Sequence, residues 1–164
     1  GLVIMLDILV LSFNSVRYAL YLLLAVPYSL IGVFLGLTLT GQPLSFTSLL
    51  GVIALAGVII NHAIILMDSL LRVQDARKDA DIIEVVADAS VSRLRPIFLT
   101  TVTTVIGMVP LSTISDFWSP LAFAIMFGLA FAMILTLILV PTLFYRHEKR
   151  LREKASRVTE TIAS

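Results

Sequence analysis

The chain has 164 residues, 59% of them apolar and 14% charged, with a net charge of +1 and a mean hydropathy of +1.02. A soluble domain carries roughly half apolar and about a quarter charged residues, so this composition excludes an ordinary soluble enzyme and points to a polytopic membrane chain. With no cysteine at all, a disulfide framework and a thiolate metal site are excluded too.

Gly1 to Phe13 is apolar apart from Asp7 and Ser12, and is too short to cross a bilayer alone, which takes about 20 residues. It reads as the end of a truncated spanning helix (1–13). The opening Gly-Leu-Val-Ile has no Met, no basic region and no small-residue cleavage site; no signal peptide is expected, and the chain reads as a piece of a longer protein. Asn14, Ser15 and Arg17 form a polar turn before a span over 18–39, where Pro27 removes a backbone donor and predicts a kink. Gly32 and Gly36 make a GxxxG step suited to close helix packing in lipid.

Thr40-Gly-Gln-Pro-Leu-Ser45 predicts a tight turn, with Ser45 or Thr47 available to cap the next helix. The span over 46–71 carries no charge from Phe46 to Ile60 and then places Asn61 and His62 in mid-membrane. A polar group at that depth is costly, so it normally faces a bundle interior or a hydrated path. Residues three, four and seven apart share a helix face. Gly57, Asn61 and Asp68 therefore form one stripe, on which Gly57 is expected to serve helix packing as Gly32 and Gly36 do, and Leu55, Val58, His62 and Ser69 form a neighbouring one. Two readings stand side by side: a protonatable station on a transport path, or a polar clasp that packs helices.

Residues 74–92 interleave Asp, Glu, Arg and Lys with Ile82, Ile83, Val85, Val86 and Ala89, which predicts an amphipathic helix along the membrane interface. Arg93-Leu-Arg-Pro96 opens a span over 94–113, with Pro96 expected in a first turn. In that span Arg93, Thr100 and Thr104 share a face. The threonines suit back-bonding to their own helix and Arg93 suits a snorkelling anchor, or they converge with Asn61 and His62 on a hydrated path. Trp118 marks an aromatic belt before the last span, 120–145. The basic tail 146–164 is expected to fray beyond Lys154.

All twelve basic residues fall in the first connection, around the third, and in the tail. The positive-inside rule then makes those connections and the C terminus cytoplasmic. The fold expected is all-α: one partial and four full spans, with an interfacial helix. The sequence shows no Gly-rich phosphate loop, no metal motif, no nucleophile–base pair and no basic-aromatic nucleic-acid surface, and so nothing that recommends an enzyme.

The blocks GVIALAGVIINHAIILMD, RLRPIFLTTVTTVIGMVPL and LVPTLFYR, with FNSVRYALYLLLAVPYSLIGVFLGLTLTG before them, resemble the C-terminal transmembrane half of resistance-nodulation-division (RND) efflux permeases of the acriflavine-resistance type. The resemblance runs from about Ser12 to Arg146 and implies the partial eighth and the ninth to twelfth of twelve spans. It implies a homotrimeric pump of the bacterial inner membrane, driven by the proton-motive force without a cofactor. Its implied partners are the missing N-terminal half, a periplasmic adaptor and an outer-membrane channel. Such permeases pair two aspartates on the fourth helix with a Lys on the tenth and an Arg and a Thr on the eleventh. By motif position Arg93 and Thr100 match that Arg and Thr. The Lys position falls on Asn61, a departure from the pattern, and His62 stands where an Asn usually follows. An imidazole titrates near neutral pH, so His62 is expected to take over part of the missing charge. A protein- or lipid-export relative and a purely structural anchoring bundle are the alternatives; a metal exporter is less expected, since the tenth span lacks a buried acid.

Overall fold

A computed structural model describes residues 1–163. Five helices follow one another: α1 (Leu2–Phe13), α2 (Val16–Thr40), α3 (Phe46–Ala76), α4 (Ile82–Ile114) and α5 (Ser119–Ala163). The last four are long and apolar enough to cross a membrane; α1 is not. The chain is therefore an all-α bundle of spanning helices, as its hydropathy pattern required.

Tight turns set the antiparallel order. Asn14 closes α1 in the left-handed conformation at φ 48°, and Gly41 closes α2 at φ 67°, where its N–H bonds back to the carbonyls of Leu37 and Thr38. A left-handed residue ends a helix cheaply when it is Gly or Asn. Ser45 then caps α3: its hydroxyl accepts from Ser48 N–H at 3.3 Å, while the Ser48 hydroxyl accepts from Ser45 N–H at 2.9 Å. This reciprocal box holds two otherwise orphaned donors. Ser45→Ala is expected to cost about 1 kcal/mol, read as a lowered thermal midpoint of the purified protein; no change would mean that lipid or water caps α3 equally well.

Helix α5 packs against α2, α3 and α4, and α1 against α2. Two apolar clusters fill the seams. One joins Leu9, Leu22, Met67, Ile97 and Phe144 at the end where the tail emerges, and the other joins Val33, Leu37, Leu55, Ala124 and Leu129 toward the opposite end. The GxxxG step is what lets α2 meet α5. A Cβ on Gly32 would lie 2.8 Å from Phe131 Cγ, and one on Gly36 2.7 Å from Phe127 Cδ2. Gly128 answers from α5, where a Cβ would meet Leu55 and Val33.

Three expectations change. Residues 74–92 are not a separate interfacial helix: α3 runs on to Ala76, the chain breaks at 77–81, and 82–92 is the first part of the spanning helix α4. No Gly or Pro falls between 82 and 92, so the change from charged to apolar side chains does not interrupt the backbone. Pro96 consequently lies well inside α4 rather than in a first turn. The tail does not fray at Lys154, for α5 continues to Ala163. Glu148 and Arg152, and Glu153 and Arg157, stand at the i, i+4 spacing and in the order that favours a helix. Arg152 Nη1 also donates to Ala80 O at 3.2 Å, tying the extension to the α3–α4 connection.

Candidate functional site

The site is a seam between α3 and α4. Ser69 Oγ and Ser92 Oγ lie 3.3 Å apart across it, which fixes the register of two antiparallel helices. Equal rise along both helices then sets Asp68 level with Arg93, and Asn61 level with Thr100 one step of about 10 Å farther into the span.

One stripe of α4, Ala89, Ile97 and Thr101, is buried with Arg93 half-buried among them, while Thr100 on the neighbouring stripe is exposed. Of the apolar stretch of α4 only 11% is buried, against 39% in each of the other three spanning helices. Helix α4 thus turns most of its surface away from the rest of this chain. On α3, Asn61 is exposed, and among the described residues its amide makes no hydrogen bond.

Arg93 has neither an ion pair nor a hydrogen bond among the described residues. The carboxylate level with it is already engaged, since Asp68 Oδ2 accepts from Arg72 Nε at 2.8 Å. Thr100 Oγ1 donates to Pro96 O at 2.7 Å, and Thr104 Oγ1 to Thr100 O at 2.8 Å. These back-bonds leave the hydroxyl lone pairs free to accept. Asn61 and Thr100, level with one another, can donate to and accept from an ordered water, and Arg93, about 10 Å nearer the helix end, can hold a carboxylate.

His62 belongs to the inner stripe with Leu55, Ile59, Leu66 and Ser69. It is 4% exposed, and its Nε2 finds no partner. Neighbouring residues on a helix point about 100° apart, so the structure separates the Asn61-His62 pair into one outward and one inward side chain. Thr101 on α4 was not singled out from the sequence. It too is buried with an unpartnered hydroxyl, at a depth within a turn of His62. Its signal was the four-residue step from Ala89 through Arg93 and Ile97. Gly57, grouped by its stripe with the packing glycines, differs from Gly32 and Gly36: a Cβ there meets no atom within 4 Å.

Four membrane-length helices with a polar, cationic seam define a multi-pass membrane protein. Residues 1–148 match the AcrB/AcrD/AcrF family, and the chain belongs to that family of RND permeases. The multidrug resistance protein MdtC of Erwinia amylovora is 32% identical over 147 residues, covering 87% of this chain and 14% of that protein. The cobalt-zinc-cadmium resistance protein CzcA of Cupriavidus metallidurans is 27% identical over 156 residues, covering 91% and 14%. A crystal structure of a heavy metal efflux pump superposes with a TM-score of 0.78 at 31% identity, over 90% of this chain and 14% of that one. The chain thus spans about one seventh of the length of these relatives.

Proposed function

We propose that this chain forms half of the proton pathway in the membrane domain of a proton-driven efflux permease. Asn61, Arg93 and Thr100 line the pathway, and His62 supports it from behind. The observation that carries this reading is Arg93: a half-buried guanidinium without a partner, level with a carboxylate that another arginine holds. An arginine at the end of a span can snorkel to water, but Arg93 is half-buried with its fork of donors unused, so it calls for an anion that the described residues do not provide. The aspartates that the family places on its fourth helix are that anion. They would dock on the uncovered faces of α3 and α4, with Gly57 allowing their close approach.

The cycle then needs no cofactor. Protonation of the aspartates would release Arg93 and the Asn61 amide, and deprotonation on the far side would bring them back, coupling proton entry to substrate exit. Asn61 contributes a dipole where a lysine would contribute a charge. His62, whose Nε2 has no partner among the described residues, would offset the difference once the missing half brings an anion or water to it. We place the protein in the bacterial inner membrane as a homotrimer with its C terminus in the cytoplasm, because the basic residues gather at that end. It would work with a periplasmic adaptor and an outer-membrane channel.

Exporters of drugs and of metals both stand among the relatives. We favour the multidrug type, because α3 carries no acid from Phe46 to Met67 that would ligate a cation in transit. Export by the full-length permease distinguishes the roles on α3. Asn61→Ala and His62→Ala are each expected to lower export, whereas substitution of a mere packing clasp would lower stability without uncoupling transport. Near-normal export by the His62 variant would remove His62 from the pathway.

A further inference from the structure

At the end of the bundle where the tail emerges, α2 and α5 enclose a cavity of about 500 Å³ between Arg17, Leu20, Leu143, Arg146, Arg150 and Lys154. We propose that it binds the phosphate headgroup of an anionic phospholipid.

The cavity follows from the packing of two helices. The α2–α5 register set by Gly36 against Phe127 and Gly32 against Phe131 continues to Tyr18, whose ring stacks on Phe144 at 6.0 Å. One turn farther, His147 meets the rings of Tyr18 and Tyr21 edge-on, at 5.2 and 6.1 Å. The Tyr21 and His147 rings wall the cavity on one side. Because α5 stays helical beyond Arg146, residues Arg146, Arg150 and Lys154 recur at steps of four and form a single cationic row facing Arg17.

Four cations converge there, no acidic residue lines the space, and among the described residues none of the four forms an ion pair. The ion pairs that do form, Arg72 with Asp68 and Arg77 with Asp88, lie elsewhere. Like charges at i, i+4 repel one another, so the row gains from an anion.

The apolar lining chooses a lipid over a soluble phosphate. Leu20 and Leu143 stand on the spanning side of the cations, and Leu20 is exposed at 54%. A headgroup among the arginines would lay its acyl chains down this apolar wall, whereas a free ion would leave the wall unused. Basic pockets at helix ends on the cytoplasmic side are a known means of holding anionic headgroups.

The test is lipid retention by the full-length protein purified in detergent, measured by native mass spectrometry. The probes are phosphatidylglycerol and phosphatidylcholine with identical chains, with inorganic phosphate as competitor. The wild type is expected to retain phosphatidylglycerol preferentially and to keep it when phosphate is added. Each cation near a headgroup contributes about fivefold in affinity, so Arg146→Gln with Arg150→Gln should weaken phosphatidylglycerol about 25-fold. Arg157→Gln, a tail charge outside the cavity, should leave it unchanged, and unaltered oligomer mass shows that each variant is folded. Equal retention of the two lipids, or an unaffected double variant, would overturn the proposal. Displacement by inorganic phosphate would overturn the lipid assignment in favour of a soluble-anion site.

Discussion

Gly32→Ala combined with Gly36→Ala is expected to leave little folded protein, although each change adds one methyl group. The added carbons would run into Phe131 and Phe127 at their first side-chain atoms, which cannot rotate away as the tip of a flexible chain can. Helix α2 must therefore retreat from α5 along two turns, opening the seam filled by Val33, Leu37, Leu55 and Leu129. Overpacking a close-packed site costs about 1–3 kcal/mol, so two such sites on one interface cost about 2–6 kcal/mol together. Dispersion and close approach carry helix association in lipid, where hydrophobic burial adds little. Fluorescence-detected size-exclusion of detergent extracts would show the loss. A double variant as abundant and as thermostable as the wild type would mean that α2 and α5 are held apart in the membrane.

Arg93→Ala is expected to abolish export while leaving expression and assembly intact. Arg93 touches no partner in this half, so its removal breaks nothing that holds α3, α4 and α5 together. On the proposed reading, what it removes is the counter-charge for an acidic pair on the helices of the missing half. Stripping one member from a buried charge pair costs about 3–5 kcal/mol, enough to lower transport by about 100-fold or more. Arg93→Lys should restore part of the activity, since a lysine keeps the charge but not the planar fork. Export at the wild-type level by Arg93→Ala would reduce Arg93 to an interfacial anchor.

The spans were legible in the sequence because an apolar run of membrane length leaves the backbone one economical solution, a helix. The Ser45 cap and the turn at Gly41 were legible for a local reason, since each is decided within four residues. The helix boundaries around 74–96 were not. The change from charged to apolar side chains near Arg93 looks like an end, but solvent and lipid alter what surrounds a helix without breaking its hydrogen bonds. Pro96 misled in the same way: it removes one donor, and α4 continues through it.

Within the site, the two stripes of α3 were readable from spacing. Which stripe faces inward was not, because that depends on where α4 and α5 lie. Asn61 and His62 therefore read as one station and prove to point apart. Gly57 looked like Gly32 and Gly36 for the same reason, since a glycine's partner lies on another helix. Thr101 stayed hidden among four threonines until tertiary packing buried one of them.

The most direct test of the central claim is proton entry into substrate-loaded proteoliposomes that hold the full-length permease, followed with a trapped pH indicator after the outer medium is acidified. Wild-type protein should acidify the lumen in step with substrate transport. Arg93→Ala should still bind substrate and assemble normally but move no protons. Undiminished proton entry in that variant would contradict the assignment of the α3–α4 seam to the proton pathway.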